Sequence, residues 1–207
     1  FVAVIVDHGL QENSAEVAAS TKKKLESIGY SDIFVGKANV LVTDGIEASA
    51  RRARYLVFQQ ALETYGAKVF LIGHTKNDQA EGVLLGLARG SGTKSLSGMA
   101  EISGPFIRPF LNVDRSTTQA ACVESGIEYW NDPHNLNTEF TRVRVRESIL
   151  PLIEKEIGPG IVDALSRSAK ILREDATALD EWAERVFSEV NPSDIEISLL
   201  ADLPIAV

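Results

Sequence analysis

Three polar side chains, His74, Asp78 and Glu81, recur at steps of four and three between apolar runs in the stretch "LIGHTKNDQAEGVLLGLARGSG" from Leu71 to Gly92. Steps of four and three residues would bring all three onto one helix face, stacked over about two turns. One such face can act on one ligand, and a carboxylate pair suits a cation. The same three residues could ligate a metal, although no cysteine or second histidine is near them in sequence; the metal itself is unassigned. A solvated polar stripe, with acidic residues favoured at a helix start by the macrodipole, would read in the same way. The preceding "AKVFLI" favours a site, because it reads as a buried strand running through Gly73 into the helix. In an open α/β sheet, ligands gather at the carboxyl ends of strands.

The elements that must position this stretch follow from periodicity. "FVAVIV" reads as a buried strand, and "SAEVAASTKKKLESIG" as a helix with Ser14 at its cap and Gly29 as its stop. "DIFVGKA" is a second strand, a helix runs from about Gly45 to Tyr65, and "AKVFLIG" is a third strand. After a Gly/Ser loop, "FIRPFLNV" is a short strand or extended segment, its Pro109 favouring an edge or bend. "STTQAACVESG" is a further helix, with Ser116 or Thr117 near its cap and Gly126 after its end. Strands alternating with helices of this length predict an α/β fold with a parallel sheet and right-handed crossovers. From Thr141 the pattern is helical, apart from the strand-like "DIEISLL". The division expected is therefore 1–133 for the α/β domain and 134–207 for a mainly helical extension.

Bulk properties bound the function classes. A chain of 207 residues, 44% of them hydrophobic, suits one globular core with an appendage. No apolar run approaches the ~20 residues of a membrane span. "FVAVIVDHGL" has neither the basic leader nor the cleavage site of a secretory signal. The single cysteine, Cys122, excludes an intrachain disulfide and agrees with a cytoplasmic location. The absence of an initiator methionine and the abrupt "LLADLPIAV" mark the chain as an expected fragment, incomplete at both ends.

The net charge of −8 argues against indiscriminate attraction to nucleic acid. Its distribution is uneven, with five basic and twelve acidic residues from Leu152 onward and 16 against 17 before. Within that near-neutral part, arginines cluster at Arg51, Arg52 and Arg54, at Arg89, and at Arg142, Arg144 and Arg146. A local basic surface can therefore coexist with an acidic chain.

Five segments in order, "VDHGL", "GIEASARRARY", "GHTKNDQAEGVLLGLARGSG", "IRPFLNV" and "WNDPHNLNTEFTRVRVRESILPLI", resemble the tRNA(Ile)-lysidine synthetase family of N-type ATP pyrophosphatases, from about Val4 to Asp175. The resemblance implies a Rossmann-like, adenine nucleotide alpha hydrolase-like sheet with helices on both faces. It implies a ligase that uses ATP, with Mg²⁺, to adenylate the C2 carbonyl oxygen of the wobble cytidine in an isoleucine tRNA with a CAU anticodon. The side-chain amine of free lysine then displaces AMP to give lysidine. A homodimer is compatible with this family; the oligomeric state is unassigned.

By the same resemblance, Asp78 and Glu81 handle the lysine ammonium and support activation, with His74 lining their pocket. Arg54 serves the phosphates, where delocalised positive charge suits phosphoryl chemistry; a surface helix arginine is its rival reading. Asp7 and His8 end the first strand as nucleotide contacts, against a satisfied core histidine. Arg89, Gly90 and Gly92 form a loop open to close substrate approach, against an ordinary helix stop. Arg142, Arg144 and Arg146 contact tRNA, although their alternation with valine also suits one solvated face.

Two positions depart from the family pattern, Asn77 where Asp is usual and Val143 where Asn is usual. The family's SGGxDS pyrophosphate loop is expected upstream of Phe1, and no GxxxxGK motif followed by Ser or Thr stands in for it. Without that loop, the polypeptide as written is expected to activate ATP poorly. A tRNA thiolase of the same fold is the rival enzyme, although such enzymes rely on more cysteines than the lone Cys122. A non-catalytic tRNA-binding protein is the rival of a different class.

Overall fold

The computed structural model describes residues 1–9, 13–41, 43, 45–189 and 203–204. In chain order its elements are β1 (Ala3–Asp7), α1 (Ser14–Ser27), β2 (Ile33–Lys37), α2 (Ile46–Tyr65), β3 (Phe70–Leu71), α3 (Lys76–Ala88) and α4 (Thr93–Leu96). They continue with β4 (Ile102–Ser103), β5 (Phe106–Ile107), α5 (Arg115–Glu124), a 3-10 turn at Pro133–Leu136, α6 (Thr141–Arg144), a π turn at Val145–Ile149, α7 (Leu150–Glu156) and α8 (Ile161–Glu189). The chain forms two compact units, one of Phe1–Leu71 with Gly104–Ile107, the other of Ile72–Ser103 with Arg108–Val207.

The first unit is α/β, with strands paired in parallel as expected. β1 and β2 run in register from Ala3 opposite Ile33 to Asp7 opposite Lys37, and β3 pairs with β5 through Phe70 opposite Phe106. α2 covers the first pair by burying Ala53 and Val57 against Ala38, with Val6, Phe34 and Val40 around them. Gly36 makes that approach feasible, because a Cβ there would lie 2.2 Å from a Val57 methyl. On the same helix, Phe58 stacks on Phe70 at 4.2 Å between ring centroids, and Tyr55 meets Phe106 edge-on at 4.9 Å. These contacts orient the α2 arginines.

The second unit is helical. Ala80 of α3, Val145 of the π turn and Leu150 of α7 form its core, packed against Leu84, Leu85, Ile161, Val162 and Leu165. Ala169 of α8 and Ala80 are both fully buried, small residues that let helix backbones come close. No helix among the described residues is long and apolar enough to cross a membrane.

Several local expectations change. The seven-residue run 67–73 yields only two strand residues, and the chain leaves the ladder at Ile72. His74 therefore lies outside the helix, which starts at Lys76 behind Thr75, so the expected three-residue face is a two-residue one. β1 is half-buried throughout rather than buried. Asn13, not Ser14, occupies the position before α1, and Asp114 rather than Ser116 or Thr117 precedes α5. The Gly/Ser loop contains the short helix α4. "DIEISLL" lies outside the described residues, as does Leu10 of "VDHGL".

Candidate functional site

α3 begins with a reciprocal cap. Thr75 stands at its N-cap, and Asp78 Oδ2 accepts from both the Thr75 backbone N–H at 2.8 Å and the Thr75 hydroxyl at 2.7 Å. One turn later Glu81 is fully buried. A buried carboxylate needs a partner, and two arginines supply it from later in the chain.

Arg146, on the π turn, makes a bidentate fork with Glu81, Nε to Oε1 at 2.7 Å and a second guanidinium nitrogen to Oε2 at 3.0 Å. Its guanidinium also stands 3.6 Å from Asp78 Oδ1. Arg115, the first residue of α5, donates to Asp78 Oδ1 at 2.8 Å and lies 3.6 Å from Glu81 Oε1. Two carboxylates and two guanidinium groups thus form a neutral quartet. Burial opposes ionisation of Asp78, but the Thr75 hydrogen bonds and the charges of Arg115 and Arg146 outweigh it and hold the carboxyl below its ordinary range. Burial also works against the charge on Arg146, yet Glu81 and Asp78 raise its pKa.

A fixed array of charges in a partly dry setting is what a reaction that moves charge can use. The quartet also makes a metal reading unsuitable here. No group of three or more His, Cys, Asp or Glu gathers among the described residues, and both carboxylates already face arginines.

The first unit holds a separate set. Asp7 ends β1, and its Oδ1 accepts the Gly9 N–H at 2.9 Å. That bond, with one from Ser14, lowers its pKa. His8 Nε2 accepts from Arg54 Nε at 3.4 Å. Burial, then the Arg54 charge, pushes the His8 pKa down, so the neutral ring carries its proton on Nδ1. That Nδ1 is buried and has no hydrogen-bond partner among the described residues.

The three arginines of "RRAR" point in three directions. Arg51 lies over the Tyr55 ring at 5.1 Å, Arg52 binds Thr43 and Ser49 at 2.7 and 3.1 Å, and Arg54 reaches His8.

The remaining expected residues separate. Arg89, Gly90 and Ser91 complete a helix stop in which the Gly90 N–H binds Leu87 O at 2.9 Å and the Ser91 N–H binds Gly86 O at 3.1 Å. Gly90 is required there by its φ of 65° rather than by crowding, since a methyl added at Gly90 or Gly92 would meet no atom within 4 Å. Arg142, Arg144 and Arg146 lie on helical turns with Val143 and Val145 buried between them. Arg146 turns inward to Glu81, and Arg144 donates to the carbonyls of Thr138 and Glu139 at 2.7 and 2.8 Å. The Arg142 side chain makes no hydrogen bond or ion pair among the described residues, its carbonyl accepting the Val145 N–H. His74 sits half-buried just before the N-cap.

Sequence reasoning missed Arg115 and Lys76. Lys76 Nζ bridges Asp114 at 3.0 Å and Asp163 at 2.7 Å. The signal available for Arg115 was indirect: two carboxylates on an otherwise apolar helix demand cations from elsewhere. Arg173 went unremarked too, and it donates to the carbonyls of Ser97 and Met99. Gln79 brackets the same Met99, accepting from its N–H at 2.7 Å and donating to its carbonyl at 3.0 Å.

Known proteins resemble this chain in sequence and fold. It is 46% identical over 206 residues to the tRNA(Ile)-lysidine synthase of Thermobifida fusca, covering 99% of this chain and 64% of that protein. The tRNA(Ile)-lysidine synthase of Leifsonia xyli is 45% identical over 201 residues, covering 95% and 60%. That of Streptomyces coelicolor is 45% identical over 209 residues, covering 99% and 59%. The chain thus spans about three fifths of the length of these relatives. Among solved structures, the U34-tRNA thiolase of Methanococcus maripaludis superposes with a TM-score of 0.67 at 16% identity, covering 84% of this chain and 62% of that one, a likeness of fold alone. Residues 1–153 match the PP-loop domain family, and the chain belongs to it.

Proposed function

We propose that the whole protein is a tRNA(Ile)-lysidine synthase. It uses ATP to adenylate the C2 carbonyl oxygen of the wobble cytidine in an isoleucine tRNA with a CAU anticodon, releasing pyrophosphate, and the side-chain amine of free lysine then attacks C2 and displaces that oxygen as AMP. The observation that carries this reading is the 46% identity to the Thermobifida fusca synthase across 99% of the chain. The α/β part, residues 1–133, takes the nucleotide, and the extension from 134 supports it. Cytoplasmic location follows from the substrate.

The residues divide the chemistry by charge. Arg54 and the neutral His8 offer a cation and an N–H donor, the pair that a phosphate-rich nucleotide requires. Asp78 and Glu81 offer negative charge for the lysine ammonium. In the structure both already face guanidinium groups, so the ammonium would join the quartet by sharing Asp78, the less buried carboxylate at 16% side-chain exposure against 0% for Glu81. Mg²⁺ would accompany the ATP phosphates, since the quartet offers it no vacant carboxylate.

Transfer of labelled lysine to unmodified isoleucine tRNA, with ATP and the whole protein, tests the reading. Wild-type protein should transfer lysine, and Asp78→Ala and Glu81→Gln should each lower the rate by about 100-fold or more. tRNA binding with no lysine transfer by wild-type protein would refute it.

A further inference from the structure

The first turn of α3 and the start of α5 meet residue by residue. The Lys76 N–H donates to Val113 O at 3.0 Å, and Lys76 Nζ reaches Asp114 at 3.0 Å. Asn77 Oδ1 accepts the Arg115 backbone N–H at 2.9 Å, and Asp78 takes the Arg115 guanidinium at 2.8 Å. Two helix N-termini, both positive ends of macrodipoles, are thus brought together and need acceptors between them. Asp114, the N-cap residue of α5, makes no side-chain cap bond, and its carboxylate is turned to Lys76. The acceptor for the first amide of α5 therefore comes from the other helix, from Asn77.

The consequence falls on Asp78. Thr75 holds its Oδ2 from two sides, and Arg115 is the near partner of Oδ1, Arg146 standing off at 3.6 Å. The carboxylate is pinned at both oxygens only while Arg115 is in place.

We propose that Asn77 and Arg115 are positioning residues for the Asp78 carboxylate, Asn77 setting the start of α5 so that the Arg115 guanidinium reaches Oδ1. Their role in turnover rests on Asp78 serving lysine as proposed above. Asn in place of the family's usual Asp keeps the acceptor while adding no third negative charge beside Asp78 and Glu81.

Steady-state lysine transfer by the whole protein and a carbon-13 NMR titration of the Asp78 carboxyl test this together. Asn77→Ala and Arg115→Gln should lower kcat/KM for lysine by about 10- to 100-fold, with KM for ATP unchanged, and Asn77→Asp, which restores the acceptor, should rescue most of the loss. Among the described residues, the charged groups around Asp78 are Arg115 from α5, Arg146 from the π turn and Glu81 from α3 itself, which shares both arginines. Losing the Arg115 contact should therefore raise the Asp78 titration midpoint in both variants. An unmoved midpoint in Asn77→Ala, or equal losses toward lysine and ATP without rescue, would overturn the proposal. Absence of lysine transfer by wild-type protein with the midpoint shifting as expected would sink the lysidine reading and leave the positioning of Asp78 standing.

Discussion

Glu81 carries a charge at a position with no solvent exposure, and its stability rests on the Arg146 fork. Desolvating two such ions costs several kcal/mol apiece, which only close geometry and added hydrogen bonds offset. Removing one partner leaves the other uncompensated. Glu81→Ala should therefore destabilise the protein by about 3–5 kcal/mol in urea unfolding, and a second change, Arg146→Met, should recover much of that loss. If Glu81→Ala alone costs less than about 1 kcal/mol, the buried pair does not hold the second unit together. The spacing of Asp78 and Glu81 on α3 was legible from the sequence, because helical period is a local property. Their partners were not, since Arg115 and Arg146 lie 37 and 65 positions away from the carboxylates they bind, and no local pattern encodes such pairs. His74 misled for the converse reason: its spacing fits a helix, but the reciprocal cap between Thr75 and Asp78 starts α3 after it.

The start of α3 is also tied to α8, through Lys76 and its two aspartates. Hydrogen bonds donated to Asp163 and Asp114 raise the Lys76 pKa above its ordinary 10.5, and Lys76 lowers that of Asp163 below its ordinary 3.8. The raised lysine contributes stability fully below its ordinary value and loses it as pH rises through the raised one. The lowered aspartate contributes above its ordinary value and loses it as pH falls through the lowered one. The stabilising window of this bridge therefore covers the neutral range and closes at both extremes. Thermal unfolding of Lys76→Met should show its largest deficit in Tm near neutral pH, converging on wild type in strong acid and strong alkali. A deficit independent of pH would assign Lys76 a packing role instead. At this scale the helices were read well, α2 within a residue of its start, because amphipathic period and flanking glycines mark them. Strand ends were not, since β3 is limited to the two residues that find partners on β5, Phe70 opposite Phe106 and Leu71 opposite Ile107, a property of the neighbouring segment. α5 likewise starts at Arg115 because Asn77, from another helix, caps it.

Under the proposed function an acidic protein must concentrate its positive charge to meet tRNA, and a sum of −8 conceals where. The sequence clusters named seven arginines, but the structure places most of them against protein groups: Arg51 on Tyr55, Arg52 on Thr43 and Ser49, Arg54 on His8, Arg144 on two carbonyls and Arg146 on Glu81. Composition alone cannot separate an arginine that binds a partner from one that holds a loop. Arg142 is different, since no group among the described residues engages its guanidinium, and it stands two positions from a loop-holding arginine. Under the proposed function Arg142 is the member of "TRVRVR" available to a phosphate, whereas Arg144 acts on the 138–139 backbone. Binding of isoleucine tRNA, measured from low to moderate salt, should separate them. Arg142→Ala should weaken binding and reduce the slope of log affinity against log salt by roughly 0.7 to 0.9, the release of one phosphate's counterions. Arg144→Ala should lower thermal stability and leave the slope near wild type, because its guanidinium is already committed to carbonyls. An unchanged slope in Arg142→Ala would mean that this segment does not face the tRNA backbone, and that the positive charge tRNA binding requires lies elsewhere in the whole protein.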